Sequence, residues 1–209
     1  MKPDAQTRIL KAGARLVHLK GFNDTGLQEV LETAQVPKGS FYYYFKSKED
    51  LGLSLIDYFA ENLKNLRDGL CQDDSLSNID KIRVIFRWQT ESFRKAGFKG
   101  GCPIGNLALE MADCNPKFRK KLDRVFKAMK KDLALHLENA RQAGEIDQSS
   151  GPAEMAEFMV SSWEGVLMQM KVSKSTVPYT IFDQMVFERL LKSNPIKTRK
   201  GRGQKRSRS

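Results

Sequence analysis

Cysteine is scarce in this 209-residue chain: Cys71, Cys102 and Cys114 are the only three, an odd number with no closely spaced pair. That pattern excludes a disulfide scaffold and a cysteine-ligated zinc site, and reduced thiols are the simplest reading. Histidine is scarcer still, with only His18 and His136. An enzyme using Cys102 as nucleophile would need His136 as its base, and no third residue stands out to orient it, so no enzymatic role is expected. No metal and no cofactor is called for either. Long hydrophobic runs are missing too. No stretch approaches the ~20 apolar residues of a membrane span. Met1-Lys2-Pro3-Asp4 leads straight into a charged helical pattern, without the ~7–15-residue apolar stretch of a signal peptide. A cytoplasmic protein, with no membrane partner, is the expectation. Nothing alternates with period two for long and no segment repeats, so no sheet and no solenoid is expected.

What is plentiful is positive charge. Lys and Arg number 36 against 25 Asp and Glu, a net charge of +11, which points to a polyanionic partner such as nucleic acid or an anionic membrane surface. Seven of those charges lie between Lys197 and Ser209, where there is no acid, which leaves +4 for the first 196 residues. Residues 195–209 read as a disordered basic tail. Two readings of it stand: a segment that neutralises DNA phosphates at the cost of strong salt dependence, or a solvated end. Specific recognition must come from residues elsewhere.

Apolar residues make up 40% of the chain and recur with helical spacing along most of it. Ile9, Ala12, Gly13, Leu16 and Val17 mark a first helix, which Gly21 ends in left-handed geometry. Thr25-Gly26-Leu27-Gln28 reads as a capping box for a second helix, whose buried face is Leu27, Val30, Leu31 and Ala34. After Pro37, Phe41, Tyr44 and Phe45 fall on one side of a short third helix, and Gly39, Ser40, Tyr42 and Tyr43 on the other. Ser47-Lys48-Glu49-Asp50 opens a fourth helix reaching about Asp68. Further helices are expected from Ser77 to Ala96, from Cys102-Pro103 through Met111, from Asn115-Pro116 to near Gly144, from Gly151-Pro152 to Lys174, and from Ile181 to Leu191. The expected class is all-α: a three-helix DNA-binding unit at 4–48 and a larger helical sensing and dimerisation unit at 49–194.

Three short helices with a tight turn before the third, followed by a long connecting helix, is the layout of a helix-turn-helix reader of double-stranded DNA. Gly39 removes a side chain where backbone must come close to its partner. Ser40, Tyr42 and Tyr43 offer hydroxyls and Lys38 and Lys48 offer charge, which suits phosphate oxygens and base edges. Helix N-termini at Thr25 and Ser47 add backbone N–H groups. The competing reading of Tyr42-Tyr43-Tyr44 is an aromatic core helix. A fully buried helix would not carry Lys38, Gly39 and Ser40 opposite Phe41 and Phe45.

From Ile9 to Leu55, with Gly21-Phe22, Thr25, Val36-Pro37-Lys38-Gly39-Ser40-Phe41-Tyr42-Tyr43-Tyr44-Phe45 and Lys48, the chain resembles the N-terminal domain of the TetR family of bacterial regulators. The resemblance implies that Thr25, Ser40, Tyr42, Tyr43 and Lys48 touch DNA and that Phe41 and Phe45 hold the third helix in place. It also implies repression by a homodimer that leaves its operator when a small-molecule inducer binds the C-terminal domain.

In the second unit, Gly100-Gly101-Cys102-Pro103-Ile104-Gly105-Asn106-Leu107 is the informative segment. With Pro103 as first helical residue, Cys102 sits at the cap, where the helix dipole and free N–H groups favour a thiolate, and Lys95 and Lys99 push the same way. A poised thiol and an inert cysteine in a tight junction both remain open on these residues alone. The segment from Gly101 to Met111, with Trp163-Glu164-Gly165, is similar to a TetR subgroup of acrylate- and electrophile-responsive repressors. That similarity implies sensing by Cys102, with Asn106 and Trp163 as companions. A Cys102–Cys114 disulfide is not expected, since twelve residues of helix at ~1.5 Å each part them by ~18 Å. Of the last two long helices, Phe158, Val166, Leu167 and Met170 on one and Ile181, Met185, Val186 and Leu190 on the other match, by the same resemblance, a four-helix dimer interface.

Overall fold

The computed structural model describes residues 4–147 and 151–192; the basic tail expected at 195–209 lies outside them. The elements, in chain order, are α1 (Ala5–Lys20), α2 (Leu27–Ala34), α3 (Lys38–Tyr44), α4 (Lys48–Leu70), α5 (Asn78–Lys95), α6 (Pro103–Met111), α7 (Pro116–Gln142), α8 (Pro152–Ser173) and α9 (Val177–Met185), the last continued by a π-helical turn at Val186–Leu190. Among the described residues there is no strand, as the lack of period-two alternation required.

Local chemistry sets most of these boundaries. The Ser47 hydroxyl accepts from the N–H of Asp50 and starts α4, and Asn115 accepts from Lys117 and Phe118 to start α7. Proline occupies the first turn of α6, α7, α8 and α9, where its missing N–H costs nothing. Gly21 ends α1 at φ 92°, ψ 166°, a positive-φ conformation that suits glycine but is extended rather than the left-handed helical one expected. Its position is doubly restricted, because a Cβ there would meet the Glu110 carboxylate at 3.0 Å.

Two expectations about helix starts are corrected. Thr25 does not cap α2, which begins at Leu27 behind Gly26. The Thr25 hydroxyl donates instead to the Gly21 carbonyl at 2.6 Å, and Gln28 turns forward to Glu32 at 2.9 Å. The last helix begins at Val177 rather than Ile181, because Pro178 fits its first turn. Its π-helical end, closed by Leu191 N–H to the Val186 carbonyl at 2.9 Å, absorbs one extra residue, so Phe182, Val186, Phe187 and Leu191 all reach the core.

Two hydrophobic cores result. One joins Ile9, Val17, Val30, Leu31, Phe41 and Phe45 to Leu51 and Leu55 of α4, to Ile104 and Leu107 of α6, and to Phe118 and Leu122 of α7. The N-terminal unit therefore shares its interior with the helices that follow it. The other core gathers α5, the far half of α7, α8 and α9 around Phe86, Leu137, Met159, Trp163 and Phe182. Cys102 and Phe126 pack against both. Bidentate bonds from Arg83 to Asp183, at 2.9 and 2.5 Å, tie α5 to α9.

Candidate nucleic-acid interface and sensing cavity

The third helix is sealed on one side and open on the other. Phe41 is 0% exposed, and Phe45 stacks on it with ring centroids 5.5 Å apart. Tyr42 and Tyr43 project outward, 56% and 84% exposed. Tyr42 meets Phe41 edge-on at 5.3 Å and Tyr43 meets Tyr44 edge-on at 4.8 Å. Lys38 and Gly39 are exposed on the same side, Ser40 is half-buried, and a Cβ on Gly39 would meet nothing within 4 Å. The tight turn before α3 is made by Gln35 in left-handed geometry, φ 54°. Arg8 holds it by donating to the carbonyls of Ala34 and Gln35 at 3.3 and 3.1 Å, a function not assigned to Arg8 from sequence.

Lys48, expected to touch DNA, is half-buried at the start of α4. Its ammonium donates to the Asn23 carbonyl at 3.1 Å and lies 4.8 Å above the Phe22 ring, so it locks the α1–α2 turn to the start of α4. Thr25 drops out of the set expected to touch DNA through side chains. It is 2% exposed, and its hydroxyl is committed to Gly21.

Between α4, α5, α7 and α8 lies a cavity of about 370 Å³, apolar over most of its wall, with Phe59, Phe86, Leu133, Val160, Trp163 and Leu167 among its lining. Its polar groups are few: His18, Arg67, Lys99, Cys102, His136 and Glu164 are the titratable ones. Such a volume, with few convergent polar groups, suits a small organic ligand, for which sites run roughly 300–1,000 Å³. Trp163 does line the cavity, held by Phe86 at 4.9 Å and Phe182 at 5.6 Å. Asn106 is not part of the lining. Its amide donates to the Gly100 carbonyl at 3.0 Å and fastens the loop before α6.

Cys102 caps α6 as expected, accepting from the Gly105 N–H at 3.4 Å, but the consequence drawn for its acidity is reversed. Burial pushes the thiol well up, and the carboxylate of Glu164 adds to that; the N–H groups of Gly105 and Ile104 pull the other way and lose. Burial also raises the Glu164 carboxyl, against a hydrogen bond from Cys102 that lowers it. His18 donates through Nε2 to the Gly101 carbonyl at 2.8 Å, and His136 is pushed down by burial and then by Arg67. Cys71, Cys102 and Cys114 are all free thiols.

A helix-turn-helix with an armed outer face, joined through a shared core to a helical unit enclosing a ligand-sized cavity, defines a DNA-binding transcriptional regulator. The chain belongs to the TetR family: it matches the bacterial regulatory proteins of the tetR family over residues 9–55 and the tetracyclin repressor-like C-terminal domain over residues 78–186. It is 33% identical to the transcriptional regulator AcuR of Cereibacter sphaeroides over 85% of this chain and 81% of that one. With the transcriptional repressor NemR of Escherichia coli K12 it shares 31% identity over 84% of this chain and 88% of that one. The crystal structure of E. coli NemR in its reduced form superposes with a TM-score of 0.83 at 29% identity, covering 93% of this chain and all of that one. Its relatives are regulators, so the chain is a regulator and not an enzyme. No helix among the described residues is long and apolar enough to cross a membrane.

Proposed function

We propose that the protein acts in the cytoplasm as a homodimeric repressor on double-stranded operator DNA, released when a small-molecule or electrophilic inducer enters the cavity and engages Cys102. The observation that carries the DNA half is the contrast within one short helix, where Tyr42 and Tyr43 stand in solvent while Phe41 and Phe45 close the interior. With Lys38, Gly39, Ser40 and Lys48 they offer hydroxyls, charge and bare backbone to a groove. The dimer is supported by an unpartnered apolar stripe along α8 and α9: Phe158, Met168, Val172, Val177, Ile181 and Met185 are exposed. Of the positions expected there, Leu167, Met170 and Val186 belong instead to the chain's own core. The cavity supports the inducer, and the reduced form named for the NemR structure fits a thiol-dependent response.

A gel shift on DNA from upstream of the protein's own gene, with and without a mild thiol-reactive electrophile, tests both halves in wild type and Cys102→Ser. Specific binding that wild type loses and the mutant keeps is the expected result. Release of both proteins would remove Cys102 from the response, and no sequence-specific shift at any candidate site would remove the repressor reading.

A further inference from the structure

Cys102 and Glu164 approach each other at the seam of the two cores, the first at the start of α6 and the second in the middle of α8, and both face the cavity. Gly105 lies between them: its N–H donates to Cys102 Sγ at 3.4 Å. Glu164 packs against the same residue, where a Cβ would collide with its Oε2. The other carboxylate oxygen, Oε1, is buried and has no hydrogen-bond partner. An unpaired oxygen against an apolar wall is costly, and among the described residues no ion pair of Glu164 offsets it. Of the cations facing the cavity, Arg67 is engaged by Asp132 at 2.7 Å and Lys99 lies exposed at the rim. His18 is committed to Gly101.

We propose that Glu164 is the base that takes the proton of Cys102 as the sulfur adds to an uncharged α,β-unsaturated carbonyl compound held in the cavity. The proposal rests on the reading of the cavity as an inducer site. In the step, the S–H bond breaks and an S–C bond forms at the β-carbon, while the C=C π pair shifts to leave an enolate. The proton passes to Glu164 and from there to the α-carbon, which restores the carbonyl and leaves a saturated thioether. The carboxylate is regenerated and no oxidant or reductant is consumed. A base held beside the thiol across Gly105 removes the need for a standing thiolate, which burial disfavours. The same carboxylate sets the ligand class: a second negative charge placed beside it in a largely apolar wall is repelled, so neutral enones, enals and quinones are favoured over carboxylate-bearing analogues.

The full-length protein, treated with N-ethylmaleimide and followed by peptide mass spectrometry, gives the rate at each cysteine separately. Glu164→Gln should slow adduct formation at Cys102 by roughly 100-fold, within the range of a positioned base, and leave the exposed Cys114 unchanged as an internal check on folding. The rate at Cys102 should then rise about tenfold per pH unit, as for an unassisted thiol below its pKa, in place of a shallower wild-type dependence. A maleimide bearing a carboxylate should react more slowly than N-ethylmaleimide at Cys102 and equally fast at Cys114. The proposal is overturned if Cys102 in Glu164→Gln reacts as fast as wild type or faster, which is what a carboxylate that merely suppressed the thiolate would give. If wild-type Cys102 takes no maleimide while Cys114 does, the electrophile reading itself fails.

Discussion

The carboxylate of Glu110, in the last turn of α6, accepts from the backbone N–H of Phe22 at 2.8 Å and, through its other oxygen, from Asn23 at 2.6 Å. The helix that begins at Cys102 in the cavity therefore ends by gripping the α1–α2 turn of the DNA-binding unit, and Lys48 holds the same turn from the other side. Glu110→Ala leaves two N–H groups unclaimed and should cost about 2 kcal/mol, each charge-assisted bond at a part-exposed site being worth on the order of 1 kcal/mol. Urea denaturation measures this. Operator affinity at a temperature where the variant is folded should also fall, since α1 and α2 support α3. Unchanged stability and affinity would show that the grip is incidental.

Gly52 of α4 lies under the crossing of Phe22 and Phe118, whose ring centroids are 5.0 Å apart. A Cβ there would collide with both rings. Gly52→Ala should therefore destabilise by about 1–3 kcal/mol through overpacking, despite alanine's better helix propensity. At Gly69 in the same helix an added Cβ would meet nothing within 4 Å, so Gly69→Ala should stabilise by about 0.5–1 kcal/mol. Thermal melts of the pair separate the two effects, and equal shifts would contradict the packing argument.

What is legible in the sequence is what lies within one or two helical turns. The inner and outer faces of α3 follow from residues one turn apart, and the Ser47, Cys102 and Asn115 caps from four-residue signals. Thr25 misleads because a carbonyl four residues back, at Gly21, competes for the same hydroxyl. For Cys102 the sequence places the residue correctly and inverts its acidity, because Glu164 arrives from another helix and burial is a property of the whole fold. Asn106 reads as a ligand contact although its partner, Gly100, is only a loop away. Glu110, His18 and Arg8 escape notice because each bonds a backbone group far along the chain, and a backbone partner leaves no complementary residue type to read.

Burial raises the folded-state pKa of Glu164 above its ordinary 4.5. As pH climbs from 4.5 toward the raised value, the unfolded chain has released a proton that the folded chain keeps, so stability falls across that window. Below it both states are protonated and the penalty vanishes. Glu164→Gln removes the titration. It should be more stable than wild type at neutral pH, with the two curves converging at about pH 4. Urea midpoints at several pH values check this, and a difference that does not change with pH would refute it.

On the recognition helix, stability and DNA affinity should come apart. Tyr43→Ala removes a side chain that is mostly in solvent, so its melting temperature should stay close to that of wild type. If each half-site loses about 1.4 kcal/mol, or tenfold, a dimer on a two-fold operator should lose roughly 100-fold in affinity. Phe41→Ala should instead cost about 3–5 kcal/mol of stability and lose binding through unfolding. Fluorescence anisotropy beside thermal melts distinguishes the two, and a Tyr43→Ala variant with full affinity would place the groove-facing side elsewhere.

Along α8 the outer stripe runs Phe158, Ser161, Gly165, Met168 and Val172, at the three- and four-residue spacing of one helix face, with Gly165 half-buried and the others exposed. Gly165 is its only residue without a side chain, and a Cβ there meets nothing within 4 Å inside a single chain. A methyl group at that position is thus accommodated by the isolated fold, while at a close two-fold helix contact it forces the backbones apart. Gly165→Ala should leave the melt of the monomer intact and weaken self-association. Met168→Glu with Ile181→Glu, which puts like charges on both apolar helices, should give monomers in sedimentation velocity at micromolar concentration. Operator binding should fall with the dimer, since one recognition helix holds only half of a two-fold site. Dimers that survive both variants would move the interface away from α8 and α9 and leave their apolar stripe to another partner.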